Sequence, residues 1–254
     1  MLKYYKVLLK GVKMLEKLEK VQIIFLSIAL TAGLIIASLI FTGAFSKDQI
    51  SVTGSAYEIV KSDSARLEIE IATKESSKAT SYELAQKQIP IVKNYLKEKG
   101  VLAENIELKT PHGYYTYKTL PNGHSSNEIS RYNLSQNIVI TSNDVYKIKE
   151  ISTEISSLIS QGIDINVYPP AYFYSKLADL KVKLLEEATK DAKQRASAML
   201  KSTNNKVGKI QTVKAGVFQI TSEDSTNVSD YGINDTTTIT KKVTSVANVV
   251  FRIK

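Results

Sequence analysis

Two histidines are the side chains of this sequence best suited to acid–base or metal chemistry, and both lie in one short segment, at His112 and His124. Imidazole titrates near neutral pH and is a common metal ligand. Between them, Asn122-Gly123 is typical of the central residues of a β-hairpin turn. A turn there places His124 at the hairpin tip and His112 well down one arm. We therefore expect exposed histidines that share no metal ion and no acid–base site.

Other catalytic and cofactor motifs are missing from the sequence. There is no cysteine, which excludes disulfides, thiolate metal sites and cysteine nucleophiles. There is also no G-x-S-x-G elbow, no phosphate-binding loop and no H-E-x-x-H pair. Serines are plentiful, but none comes with an identifiable histidine and orienting acid. We predict no catalytic, cofactor-binding or metal-binding residue.

Tyrosine is the unusual residue, with 14 copies and no tryptophan. Tyr114, Tyr115 and Tyr117 fall in one strand-like segment, where consecutive side chains face opposite sides, so at least one of them should leave the core. Two interpretations stay open: cross-strand ring packing, or an exposed interface, which suits a ring that is half apolar and half polar. Four further tyrosines lie in strand-like segments: Tyr132, Tyr168, Tyr172 and Tyr174.

Residues 21–46 form an uncharged, mostly apolar segment of 26 residues. As a helix it would be about 39 Å long, against a bilayer hydrocarbon core of about 30 Å. A buried core helix is one alternative, but such helices seldom run beyond about 20 residues. A cleaved signal peptide is another, since Thr42-Gly43-Ala44 is a tolerable cleavage site, but its apolar region is normally about 7–15 residues. The length favours a retained transmembrane anchor.

The flanking charges predict the orientation of this anchor. Residues 1–20 carry four of the nine net positive charges, whereas Lys47 and Asp48 cancel on the other side. Positive-inside bias leaves the N-terminus in the cytoplasm and places the rest outside the cytoplasmic membrane. The basic arm is either a plain topology signal or a helix lying on anionic lipid. Its lysines recur at helical spacing: Lys3, Lys6, Lys10, Lys13, Lys17 and Lys20.

Within the anchor, Ala29, Gly33 and Ala37 recur every four residues. Such a stripe of small residues lets two membrane helices approach closely, and we expect it to support self-association. Only residues 47–49 separate the anchor from the first strand-like segment, so we expect the outer domain to sit against the membrane surface. The domain has no basic cluster with interleaved aromatic residues, which argues against nucleic-acid binding.

The outer domain alternates strand-like and helical patterns, which predicts the α+β class, a mostly antiparallel sheet with packed helices. The clearest strand pattern puts Ala65, Leu67, Ile69 and Ile71 on one face. Pro90 should kink or break the first helix, whose apolar face begins at Tyr82, and Asn143 should cap the second. The third helix should pack through a stripe that runs from Leu177 to Met199. Asp191 and Arg195, one turn apart, should pair on its exposed side. A polar insertion, residues 222–237, should be mobile. The predicted helices are 76–99, 144–160 and 175–202, and the later predicted strands are 105–118, 128–141, 163–167, 207–221 and 238–253.

Residues 50–254 resemble the SIMPL-domain family, typified by YggE-like periplasmic proteins linked to oxidative-stress defence. The resemblance rests on Ile50-Ser51-Val52-Thr53-Gly54, on Gly100-Val101 followed by residues 105–110, on the helical segment 188–196 and on the alternating last strand. It implies an envelope protein without an established reaction, and ring-like or channel-like oligomers in some relatives. Ser62-Asp63 stands where the family usually has Pro-Asp, which should soften a turn.

These observations predict a basic cytoplasmic arm (1–20), a transmembrane signal anchor (21–46) and an extracytoplasmic SIMPL-like domain (47–254). The expected function is that of a non-catalytic envelope protein that self-associates and is linked to envelope or oxidative stress. The alternative is a ligand-binding protein or enzyme whose site of Tyr, Ser, Asn and carboxylates cannot be recognised from sequence. Expected partners are the lipid bilayer and further copies of the chain, with no cofactor, nucleic acid or small-molecule ligand inferable. The expected contact residues are Ala29, Gly33, Ala37, Tyr114, Tyr115 and Tyr117.

Overall fold

The computed structural model describes residues 21–40 and 48–254. The predictions for residues 1–20 and 41–47 lie outside the described residues. The helices are α1 Val21–Ile40, α2 Lys78–Glu98, α3 Val145–Glu154 and α4 Leu177–Lys201. The strands are β1 Gln49–Lys61, β2 Ser64–Glu75, β3 Ile106–Leu108, β4 His112–Thr119, β5 Ser125–Ser142, β6 Ile165–Val167, β7 Ala171–Phe173, β8 Val207–Ala215, β9 Gln219–Ser222, β10 Ile233–Asn234 and β11 Thr240–Ile253.

Helix α1 is long and apolar enough to cross a membrane, and none of its residues is buried. Its 20 residues correspond to about 30 Å of helix. The two hydroxyls of Ser27 and Thr31 donate to the carbonyls of Ile23 and Ser27, one turn back. These hydrogen bonds satisfy the hydroxyl donors inside the helix and so lower the free-energy cost of placing them in lipid.

The strands form two sheets, which confirms the predicted α+β class. Sheet I has the order β1-β11-β9-β10, with β8 also paired to β11. Sheet II has the order β3-β5-β2-β6, with β4 also paired to β5 and β7 to β2. Every registered pair in sheet II is antiparallel, and β9 and β10 in sheet I are parallel.

Sheet II carries the larger core. The alternation predicted for β2 is confirmed, because Ala65, Leu67, Ile69 and Ile71 are all fully buried. Apolar side chains of α2, α3 and β5 pack on the same face, among them Ile89, Val92, Leu96, Ile138, Ile140, Ile148 and Ile151. The opposite face of β2 carries Arg66, Glu68 and Glu70, as the polar half of the alternation requires.

Helix α4 packs on sheet I through a stripe of small residues. Ala188, Ala192 and Ala196 are fully buried against β1 and β11. The predicted stripe ended at Met199, but Met199 is exposed and Leu200 is buried in its place. Leu200 continues the spacing of four residues that the buried stripe keeps from Leu180 onwards, whereas Met199 would shorten the last step to three.

Several predicted boundaries are wrong. Segments 105–118 and 207–221 each contain two strands, and 144–160 is α3 followed by a 3₁₀ helix, Ile155–Gln161. Asp144, not Asn143, caps α3, since its carboxylate accepts from the N–H of Lys147. In α2 Ser81 is buried instead of Tyr82, because its hydroxyl donates to the carbonyl of Tyr132. Helix α2 continues through Pro90 without a break.

The polar insertion is partly held by a buried ion pair. The Asp235 carboxylate accepts from the backbone N–H and hydroxyl of Thr237 and from the hydroxyl of Thr238. The Lys241 side chain is 4% exposed, and its ammonium donates to the Asp235 carbonyl at 2.6 Å. Burial opposes ionisation of Asp235, but the threonine donors and the charge of Lys241 outweigh it and lower its pKa to about 2. This end of the insertion is therefore fixed to the fold.

Candidate functional site: the tyrosine hairpin and the polar face of sheet II

Strands β4 and β5 form a long hairpin that carries most of the predicted chemistry. Its turn is closed by a hydrogen bond from the N–H of Leu120 to the carbonyl of His124, and Gly123 adopts a φ of +84°, which a glycine reaches without strain. His124 lies at this turn, and His112 begins β4 at the other end of the hairpin. The two histidines therefore occupy opposite ends of the strand, as the sequence predicted.

The hairpin tyrosines divide between the two interpretations. Tyr115 packs edge-to-face on the buried ring of Tyr132, with ring centroids 4.8 Å apart. Tyr114 is 66% exposed and Tyr117 is 47% exposed. A register shift between Thr116 and Tyr117 sets Tyr117 opposite Ile129, which is also exposed. Tyr115 thus combines ring packing with an exposed fraction of 43%, whereas Tyr114 and Tyr117 fit the interpretation of an exposed interface.

Strand β4 is an edge strand within the described residues, since β5 is the strand paired with it. Its unpaired side offers backbone donors and acceptors to a further strand. Gly113 lies at the base of β4, where a Cβ would come within 2.4 Å of the Asn133 carbonyl oxygen and 2.7 Å of the Tyr132 hydroxyl. The close approach of the two strands at this point depends on glycine.

A groove of about 780 Å³ lies at the base of the hairpin. Its wall combines two tyrosine rings with one lysine and one histidine, and no carboxylate is among its lining residues. A metal ligand set would need further imidazole or carboxylate groups beside His112. The lining residues are Lys78, Ala79, Tyr82, Pro111, His112, Gly113, Tyr132 and Leu134.

Glu70 is the centre of a polar cluster on the open face of sheet II. Its carboxylate accepts a hydrogen bond from Ser135, from the Asn166 amide at 3.1 Å and from the Tyr168 hydroxyl at 3.0 Å. The Ser135 bond is the largest of the effects that lower the Glu70 pKa, and the nearby His112 adds to it. Because a general base at neutral pH needs a pKa near 7, the lowered pKa makes Glu70 a hydrogen-bond acceptor and a poor general base.

This cluster is the part of the site that the sequence did not predict. Alternation in β2 placed Glu70 on the wet face, but its partners come from β5, β6 and the residue after β6. No spacing in the sequence connects them. Among the described residues, no group of three or more His, Asp or Glu side chains is placed to hold a metal ion.

Segments 50–54 and 188–196, two of those on which the family resemblance rests, meet where β1 packs on α4. A Cβ on Gly54 would lie 2.1 Å from the Ala188 carbonyl oxygen and 2.4 Å from the Ala192 nitrogen. The next residue, Ser55, donates its backbone N–H to the Asp191 carboxylate at 2.8 Å. Asp191 also accepts from Arg195 at 2.7 Å, so the predicted pair is confirmed and has a second role, fixing the strand to the helix.

The sequence profile of SIMPL, described as a protein of unknown function (DUF541), matches residues 50–251. The chain belongs to the SIMPL family. This description assigns no enzymatic activity to the SIMPL domain. A search among curated proteins finds no match to the sequence. The contact between β1 and α4 indicates that these two motifs of the SIMPL domain hold its fold together.

Ser62 stands where the resemblance leads us to expect the proline of a Pro-Asp pair. The chain passes here from β1 in sheet I to β2 in sheet II. The Ser62 N–H donates to the Ile239 carbonyl at 2.8 Å, a bond that proline cannot make. Asp63 accepts from the N–H of Ser175 at 2.8 Å and from its hydroxyl at 2.6 Å. Ser62 therefore makes a hydrogen bond that proline could not make, and the softening of the turn stays a prediction.

The remaining predicted contact residues lie on α1. Ala29, Gly33 and Ala37 are exposed along the helix, and a Cβ on Gly33 would meet no atom within 4 Å. The helix and the SIMPL domain are separate compact units. The six predicted contact residues therefore form two groups, one on the helix and one on the hairpin.

Proposed function

We propose that this protein is a single-pass membrane protein of the cytoplasmic membrane, with its N-terminus in the cytoplasm and its SIMPL domain outside. The domain associates with other copies through the tyrosine hairpin and works as an assembly module of the cell envelope, without a catalytic step. On the family resemblance, its setting is envelope or oxidative stress.

Helix α1 supports the membrane part of this proposal. It is apolar on all sides and long enough to span a bilayer. Such a helix is far more stable in lipid than exposed to water. The lysine excess before it supports the orientation. The Ala29, Gly33 and Ala37 stripe supports close contact between anchors.

The observation that carries the assembly part is the exposed edge strand β4. It combines unpaired main-chain groups with the exposed rings of Tyr114 and Tyr117 and with Ile129 beside them. Tyrosine is enriched at protein interfaces because its ring is apolar and its hydroxyl remains hydrated. Anchoring in one membrane raises the effective concentration of copies, so a weak contact suffices.

Mass measurement of the full-length protein in detergent tests the proposal. We expect an oligomer for the native chain and a smaller species for Tyr114→Ser/Tyr117→Ser. The matched control is Tyr57→Ser/Tyr146→Ser, which removes two rings that are at least as exposed on average and lie away from the hairpin, and it should leave the mass unchanged. Gly33→Leu should weaken association through the anchor. A native chain that is monomeric at micromolar concentration would refute assembly.

The groove at the hairpin base favours a second candidate function, the binding of a small molecule between Tyr82 and Tyr132. Its volume of about 780 Å³ is within the range of ligand sites. Native mass spectrometry of the protein purified from its source membrane tests this candidate. A bound small molecule that is lost in Tyr82→Ser, with the fold intact, would support it, and a ligand-free native protein would count against it.

A further inference from the structure

One end of sheet I lies where the chain enters the SIMPL domain. Asp48 is the first described residue after segment 41–47, and its carbonyl accepts the N–H of Ile253. On the other side of β11, Lys206 and Lys254 exchange both backbone hydrogen bonds, at 2.7 and 2.8 Å. Such an exchange marks a hydrogen-bonded antiparallel pair, whose Cα atoms are about 5.5 Å apart and whose side chains share one face.

This end is basic. Arg252 precedes Lys254 by two residues, so it lies on the same face of β11. Its neighbour in β8 is Gly208, where an added Cβ would lie 2.8 Å from the Arg252 carbonyl oxygen. Lys201, at the end of α4, shares with Lys206 the wall of a depression of about 390 Å³. We call Lys201, Lys206, Arg252 and Lys254 the basic end.

The positive charge of the basic end is not neutralised within the domain. No ion pair within the described residues includes any of its four cations, whereas Lys99, Lys118 and Lys183 each pair with a glutamate. The Asp48 carboxylate subtracts one charge from these four cations, which leaves a net of three positive charges. Like charges directly opposite each other, as on Lys206 and Lys254, destabilise a sheet. An anionic partner would remove that repulsion.

The basic end lies where the chain enters the domain from the segment that follows helix α1, and this position bears on the choice of anionic partner. Segment 41–47 is seven residues long and reaches about 25 Å when fully extended. A domain tethered so closely to a bilayer meets lipid headgroups at high local concentration. Cationic side chains near an anionic bilayer are attracted to it, and salt screens the attraction. We infer that the basic end binds anionic lipid headgroups of the leaflet facing the domain. The inference rests on the proposed membrane anchoring.

Full-length protein in lipid vesicles tests this inference. Because the chain has no cysteine, a single Ser51→Cys label reports on the exposed outer face of β1 beside Arg252, and Asn122→Cys at the hairpin turn serves as reference. Quenching by a headgroup-level quencher lipid is compared between phosphatidylcholine vesicles with and without phosphatidylglycerol. We expect stronger quenching at residue 51 with phosphatidylglycerol, and its loss at high salt.

Removing three cations should abolish this docking. Each cation near an anionic surface contributes about a fivefold factor, so Lys201→Gln/Lys206→Gln/Arg252→Gln should lower the ratio of docked to undocked domain about a hundredfold. The control Lys87→Gln/Lys97→Gln/Lys149→Gln removes the same charge from exposed positions on α2 and α3 and should dock like the native protein. Equal loss in both variants, or quenching independent of phosphatidylglycerol, would overturn the inference.

Two further readings separate the possible failures. Extraction with alkaline carbonate reports the anchor: release of the protein refutes membrane anchoring itself, and retention with no lipid-dependent quenching refutes the basic end alone. Inorganic phosphate added to phosphatidylcholine vesicles reports free-anion binding. Equal quenching changes with phosphate and with phosphatidylglycerol would overturn the assignment to lipid headgroups.

Discussion

Asp235→Asn tests how the buried ion pair holds the polar insertion. The Asp235 pKa falls from 3.8 to about 2 in the folded protein, and each pKa unit corresponds to about 1.4 kcal/mol, so ionisation of this group stabilises the fold by about 2 kcal/mol. Removing one partner of a buried pair usually costs about 3–5 kcal/mol. Here Lys241 keeps its hydrogen bond to the Asp235 carbonyl, so we expect Asp235→Asn to cost about 2 kcal/mol of unfolding free energy, less than this usual range.

The pH dependence gives this prediction its specificity. Because the folded pKa is lowered, the stabilisation is fully present above the unfolded value of 3.8 and is lost as pH falls towards 2. The assay is urea unfolding of the full-length protein in detergent, followed by far-ultraviolet circular dichroism at several pH values. The difference in free energy of unfolding between native and Asp235→Asn should be about 2 kcal/mol above pH 5 and should shrink below pH 4.

Asp224→Asn is the matched control, since Asp224 is an exposed carboxylate in the same insertion. It should change the free energy of unfolding by less than about 0.5 kcal/mol at every pH. A native-like stability of Asp235→Asn at neutral pH would refute the reasoning. So would a difference of the same size at pH 2 and pH 7, because it would show a packing effect instead of an ionisation effect.

Two further substitutions test the contacts that join the elements. Gly54→Ala should destabilise the domain by about 3 kcal/mol or more, because its Cβ would lie 2.1 Å from the Ala188 carbonyl oxygen and only backbone movement relieves the clash. Ser51→Ala on the same strand is the control. An unchanged melting temperature for Gly54→Ala would contradict the close contact. Ser62→Pro should lower the free energy of unfolding by about 1 kcal/mol through loss of the hydrogen bond to Ile239. The control Ser62→Ala removes only a buried hydroxyl without a partner and should be neutral. A stabilised Ser62→Pro would contradict this account.

The sequence alone was sufficient for features that depend on local composition and periodicity. Helix α1 was predicted because an uncharged stretch of that length has few other stable environments. The buried face of β2 followed from strict alternation, because successive side chains of a strand face opposite sides. The hairpin turn followed from Asn122-Gly123, and Gly123 adopts a positive φ that few residues other than glycine reach. The α4 stripe was predicted except for its last position.

The tertiary structure decided every feature that depends on a distant partner. Glu70 meets Ser135 and Tyr168, and Asp235 meets Lys241, only because the sheets bring these segments together. The role of Gly54 was equally hidden, since the atoms that exclude a side chain belong to α4. A periodic pattern reports whether a residue is buried, whereas the partner that satisfies a buried polar group depends on strand order and register, which no local pattern specifies.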